Sequence, residues 1–111
     1  MEIKRRERCN IIIFDIVGDF QKSTENIDAL HQLVKDQLNA GKRNFLINLE
    51  DVDNIDYFGV GELLASLISV NNLGGKLKFV PFKFWLEHNL KIGYGIWVYE
   101  NEDKAIKSFS E

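Results

Sequence analysis

The chain has 111 residues, 45% hydrophobic and 28% charged, with a formal net charge of −3 at pH 7. These values fit one soluble globular domain with a modest core, leave no room for a second, and give no general reason to expect nucleic acid as a partner. With Cys9 as the only cysteine, no internal disulfide can form, and a reducing, cytoplasmic setting is the simpler expectation.

No stretch approaches the roughly 20 apolar residues of a membrane span, so direct membrane insertion is not expected. The start, MEIKRRERCNIII, places basic residues before an apolar run. Asp15 breaks that run and no small-residue cleavage site follows, which argues against a signal peptide.

Met1 to Arg8, with Lys4, Arg5, Arg6 and Arg8, reads as a solvated edge strand or a frayed terminus. Cys9 is expected as a small buried or half-buried residue at the start of the next strand. Asn10 to Val17 (NIIIFDIV) is strongly β-prone, and Gly18-Asp19 ends it. Ser23 and Thr24 are N-cap candidates for a helix from about Glu25. Its inward stripe is Ile27, Leu30, Leu33, Val34 and Leu38, and Gly41 closes it. His31, beside the stripe, reads as a surface or half-buried histidine.

Phe45-Leu46-Ile47 and then Leu49 form a near-continuous apolar run, the pattern of a strand buried on both faces of a parallel sheet. An acidic loop with Glu50, Asp51, Asp53 and Asp56 is expected next. From about Phe58 the spacing becomes helical, with Val60, Leu63, Leu64, Leu67 and Ile68 on one stripe. That helix runs to about Leu73 and stops at Gly74-Gly75.

Lys76 to Val80 alternates as a strand and Pro81 stops it. Phe82 to Lys91 suggests a short helix with Phe82, Trp85 and Leu86 inward. Gly93-Tyr94-Gly95 suggests a turn, and Ile96 to Tyr99 a short strand. Asn101 can cap a last helix, with Glu102 and Asp103 suiting the helix dipole and Ala105, Ile106 and Phe109 toward the core. After an N-terminal strand pair, each strand is followed by a helix. The expected fold is a single α/β domain over residues 1–111. Its sheet is mostly parallel with four to five strands and about four helices, joined by right-handed crossovers.

Chemistry finds little support in these residues. Asp51, Asp53 and Asp56 could bind a hard cation, but the calcium-loop template fails at Ile55 and at Asp56, where glycine is needed. The acidic pair and late Lys-Pro of a two-component receiver domain are missing, since Asp15 stands alone and Pro81 precedes Lys83. Gly59-Val60-Gly61 begins like a dinucleotide fingerprint, but Leu64 holds the third glycine position. Gly59 reads instead as the residue that lets the backbone turn tightly into the helix. Ser66 and Ser69 fall inside a helix, and His31 and His88 have no nucleophile–base context. No enzyme, metal or cofactor is implied.

The central segment, INLEDVDNIDYFGVGELLASL, resembles the STAS domain family, typified by bacterial anti-sigma factor antagonists. Asn48-Leu49 stands for the strand end, and Asp56, Gly59, Val60 and Gly61 fit the family's aspartate-glycine motif. The following GGKLKFV and the tail IWVYENEDKAIKSF are similar to the family's next strand and its closing strand, acidic cap and helix. The resemblance spans about Asn10 to Phe109.

It implies a STAS-type fold and a non-enzymatic protein-interaction module of a bacterial partner-switching pathway. The implied partner is an anti-sigma factor that is also a serine-kinase-like protein. In the antagonists a serine two positions after the motif aspartate is phosphorylated, adding roughly −1.5 to −2 charge at the docking surface. That position is Phe58 here, with Tyr57 beside it, so a switch at this site is not expected. Either the two aromatics fill a pocket at the helix start of a non-switching scaffold, or they form an exposed contact patch. On the second reading Asp56, Tyr57, Phe58, Gly59 and Val60 are the contact surface, with Asp19, Gln21 and Lys22 at its rim. The family also supplies small subunits that dock on the ATPase of lipid-trafficking ABC transporters, a second possible role. A homodimer is compatible with either.

Overall fold

A two-residue turn at Cys9 and Asn10 folds the first twenty residues into a hairpin. Both residues have positive φ, 54° and 64°, the geometry that matches the twist of paired strands. In the computed structural model, which describes residues 1–22, 28–82 and 97–110, the turn joins β1 (Glu2–Arg8) to β2 (Ile11–Phe20). The remaining described elements are α1 (Ala29–Asn39), β3 (Asn44–Ile55), α2 (Tyr57–Asn72), β4 (Lys76–Val80) and α3 (Glu102–Ser108).

The sheet order is β1-β2-β3-β4. β1 pairs antiparallel with β2, whereas β2 with β3 and β3 with β4 are parallel. The sheet is therefore mixed, where the alternation of elements suggested a mostly parallel one. The described residues hold three helices. The fourth expected helix, Phe82 to Lys91, lies almost wholly outside them, as do the Gly93–Gly95 turn and the Ser23 and Thr24 caps. Of the expected closing strand, the described part is a single parallel bridge from Val98 to Phe79.

The sheet is covered on both faces. On one, Ile12, Phe14, Phe45, Ile47, Leu77 and Phe79 pack against Leu30, Val34 and Leu38 of α1 and Leu63, Leu67 and Val70 of α2. On the other, Ile11, Ile13, Leu46 and Val80 meet Ala105, Ile106 and Phe109 of the last helix and its end. This explains why β2 and β3 read as unbroken apolar runs. Each such side chain contributes about 1.5–3 kcal/mol on burial.

Both long helices end in the same way. Gly41 (φ 92°) follows α1 and Gly74 (φ 76°) follows α2. The paired bonds that close them are Gly41 N–H to Leu38 O with Lys42 N–H to Gln37 O, and Gly74 N–H to Asn71 O with Gly75 N–H to Val70 O, each 3.0 Å.

Four sequence expectations need correction. The acidic segment after Leu49 is not a loop: β3 continues to Ile55 because β2 continues to Phe20 and pairs with it, with register irregularities near Asp15 and Gly18. β4 reaches β3 only as far as Asn48, so among the described residues Glu50 to Ile55 have no strand partner on that side, and acidic side chains blunt such an edge. Cys9 is exposed at the hairpin tip, not buried. Leu33 is partly exposed, whereas Leu30, Val34 and Leu38 of the stripe are buried and Ile27 lies outside the described residues. Val60, Leu64 and Ile68 of α2 face outward, whereas Gly59, Leu63, Ser66, Leu67 and Val70 are buried.

The basic N-terminal strand has internal partners. The Arg6 guanidinium bonds Asp15 on β2 and Glu102 on α3, and Arg8 bonds Glu102 and Asp103, each at 2.9 Å. Arg6, and then Arg8, hold the Glu102 carboxyl below the usual glutamate range, against the effect of its partial burial. On the same face Lys78 is buried without a carboxylate among the described residues. Its ammonium donates to Ser108 Oγ at 2.8 Å and lies over the rings of Tyr99 and Phe109, 5.0 and 4.8 Å from their centres.

Candidate protein-contact site

The end of β3 delivers Asp56 to the start of α2. Its extended backbone (φ −119°, ψ −173°) leaves the side chain free to turn back as N-cap. Oδ1 accepts from Phe58 N–H at 3.1 Å and Gly59 N–H at 3.0 Å, while Oδ2 accepts from Lys22 N–H at 2.9 Å. The Lys22 N–H, and then those of Gly59 and Phe58, hold the Asp56 carboxyl below the usual aspartate range, with desolvation opposing them. The carboxylate thereby ties the segment after β2 to the first turn of α2.

Gly59 is buried, and its role differs from the sequence expectation. Its φ is not among the positive values, so backbone freedom is not what the position needs. A Cβ there would lie 2.3 Å from Phe20 O and 2.7 Å from Ile55 Cγ1. Glycine lets the first turn of α2 press onto the end of β2. Within the expected contact set, Gly59 sets the height of its neighbours and presents no side chain. Gly61, two residues on and therefore on the opposite face of the helix, is exposed and would meet nothing within 4 Å.

The neighbours are presented outward. Tyr57 is 92% exposed, Phe58 52% and Val60 39%. The two aromatics do not fill a pocket at the helix start. They also diverge: the Lys22 ammonium sits 4.7 Å above the Phe58 ring, whereas Tyr57 stands with Val60 toward the β4 side of α2. Asp19, at the end of β2, accepts from Asn54 Nδ2 at 2.8 Å, and Gln21 is half-buried. The structure thus joins Asp56, Phe58 and Lys22 by direct contact, and Asp19 is bonded to the neighbouring strand instead.

Sequence spacing missed the outer face of α2. Leu64 and Ile68, 51% and 57% exposed, extend the apolar surface from Val60 along the helix. A signal was present, since Glu62 is the only charged residue in the sixteen of α2. A helix apolar on every side has no solvent face to reveal its orientation.

Among the described residues the other polar groups show no catalytic arrangement. His31 Nε2 and Ser69 Oγ lie 2.8 Å apart and link α1 to α2. Among the described residues no group of three His, Cys, Asp or Glu side chains is placed to hold a metal ion. No helix there is long and apolar enough to cross a membrane.

No curated protein matches the sequence. Among solved structures, the anti-sigma factor antagonist SpoIIAA in its unphosphorylated form aligns with a TM-score of 0.74 at 11% identity, covering 98% of this chain and 97% of that one. An anti-sigma factor antagonist from Mycobacterium paratuberculosis aligns at 0.72 with 14% identity, over 99% and 94% of the two chains. A sulfate transporter family protein from Wolinella succinogenes aligns at 0.63 with 19% identity, over 90% and 84%. At these identities the likeness shows a shared fold across proteins of different roles. The sequence profile of the STAS domain matches residues 1–105, and with the strand order, the capped α2 and its glycine contact in place, this chain belongs to the STAS domain family.

Proposed function

We propose that residues 1–111 are one STAS domain acting as a cytoplasmic protein-interaction module, in the manner of an anti-sigma factor antagonist of a bacterial partner-switching pathway. The contact surface is Asp56, Tyr57, Phe58 and Val60, set at their height by Gly59, with Lys22 beside them and Asp19 and Gln21 at the rim. The partner is an anti-sigma, serine-kinase-like protein. The domain performs no chemistry of its own, and Phe58 offers no hydroxyl for phosphorylation at the motif position.

The observation that carries this reading is the exposure of Tyr57 and Phe58, 92% and 52%, on a helix start whose geometry is locked by Asp56. Large aromatics exposed on a fixed helix start contribute strongly when a partner covers them. They also lose little conformational freedom on binding.

The test is capture of the partner from the native lysate with and without ATP, followed by titration of the purified pair. Retention of a serine-kinase-like anti-sigma factor after ATP turnover is the expected result. Tyr57→Asp and Phe58→Asp should each weaken the complex at least about 30-fold, the scale of an interface hot spot. Affinity within about twofold for both variants, with the fold intact, would remove this surface from the interface. Recovery of a transporter ATPase instead would replace the proposed partner.

A further inference from the structure

Among the described residues the outer edge of β1 has no strand beside it, since the order is β1-β2-β3-β4. Residues 83–96 connect Phe82 to Trp97, and Val98 bridges Phe79 of β4, at the opposite edge. The hairpin turn fixes which backbone groups the β1 edge offers. In a two-residue hairpin the flanking pair, here Arg8 and Ile11, exchanges both of its hydrogen bonds, and bonded and non-bonded pairs alternate from there. Arg6, Lys4 and Glu2 therefore bond β2, whereas the N–H and C=O groups of Glu7, Arg5 and Ile3 point outward.

The side chains decide what can lie alongside. Charge on an edge strand ordinarily prevents pairing with further copies. In EIKRRER every residue but Ile3 is charged. When two β1 strands pair antiparallel through their outward groups, a twofold axis at any charged residue sets that residue opposite its own copy, which destabilises a sheet. An axis at Ile3 is the exception. Ile3 then stands opposite Ile3, Glu2 of each copy stands opposite Lys4 of the other, and no like-charged side chains face each other.

The side chains at this end of β1 are also the loosely held ones. Arg6 and Arg8 are drawn to Asp15, Glu102 and Asp103. Lys4 and Glu2 lie 3.8 Å apart within one strand, with side chains 62% and 63% exposed. Ile3 is half-buried against the main core, and its copy would cover it further.

We infer that β1 pairs antiparallel with β1 of a second copy about a twofold axis at Ile3, joining the two sheets into one. Ile3 N–H of each copy donates to the Ile3 carbonyl of the other, and Arg5 N–H donates to the Met1 carbonyl. The interface is isologous and closes at two copies. β1 is no part of the proposed protein contact, so the two readings fail independently.

The test is sedimentation equilibrium of the full chain. A dimer of twice 12.9 kDa with a dissociation constant of about 1–100 μM is expected, the strength of a small interface. Lys4→Glu and Glu2→Lys should each weaken it at least about tenfold, because each sets two like pairs across the axis. An equimolar mixture of these two variants should restore the dimer, since every cross-strand pair then joins opposite charges. Arg5→Pro removes an outward N–H that β2 does not use, and should give a folded monomer with an unchanged circular dichroism spectrum. A wild-type monomer up to about 1 mM, unchanged affinity in Lys4→Glu, or no restoration in the mixture would each overturn the inference. Unfolding of Arg5→Pro would place that N–H on β2 and overturn the register, and a wild-type dimer in Arg5→Pro would overturn the pairing.

Discussion

The carbonyl oxygen of Phe20 lies 2.3 Å from where a Cβ on Gly59 would stand. This single approach sets how closely α2 sits on the end of β2. Gly59→Ala must shift either the strand end or the helix start, at a cost of roughly 3 kcal/mol. Gly61→Ala meets nothing within 4 Å and gains helix propensity, so it should stabilise by about 0.5–1 kcal/mol. Thermal or urea unfolding of the two variants should move in opposite directions. A loss of stability in Gly61→Ala would contradict the geometry.

Asp56 makes the helix start sensitive to acid. Its carboxylate accepts three backbone N–H groups, which lower its pKa from the ordinary 3.8. The stability it supplies is full above that value and is lost as pH falls through the lowered one. Glu102, lowered from 4.5 mainly by Arg6, loses its contribution in the same direction. Unfolding measured from pH 7 downward should therefore show stability falling below about pH 4. Asp56→Asn keeps an oxygen for capping but has no proton to gain. Its curve should start lower and fall less steeply, and a slope equal to wild type would rule out this role for Asp56.

The hairpin turn offers a separate gain. Cys9 holds φ at 54°, where an ordinary side chain is disfavoured by about 1–2 kcal/mol and asparagine much less so. Cys9→Asn should raise stability by about 0.5–1 kcal/mol, read as a higher urea midpoint with unchanged slope. A lower midpoint would show that the exposed thiol has a packing role.

Much of this fold was legible because several signals agreed locally. Gly74-Gly75 marked the end of α2, and Asn101 with Glu102 and Asp103 marked the start of α3, where the Asn101 side chain accepts from Lys104 N–H at 2.9 Å. Both depend on residues adjacent in sequence. The extension of β3 through Asp51 and Asp53 was not legible, because it depends on β2 lying alongside. Acidic residues in a run ordinarily suggest a loop. The same limit applied to Lys78: the alternation of KLKFV places lysines in water, and only the packing of Ser108, Tyr99 and Phe109 above β4 explains its burial. At the site, the motif identified Asp56 and Gly59 but not why Gly59 is glycine. The pairing of Lys22 with Phe58 joins residues 36 positions apart, which no local pattern encodes.

Arg6 and Glu102 are 96 residues apart in sequence and hydrogen-bonded in space. During synthesis β1 emerges early, and its arginines have no α3 to hold until nearly all of the described chain has been made. Docking of that last helix is thus a closing event in folding, governed by long-range contacts and their loop entropy. Until it occurs, Ile11, Ile13 and Leu46 remain uncovered on that face. A stall or cleavage near Glu100 would leave an assembled sheet and α2 with one apolar face open, a species prone to associate with its own kind.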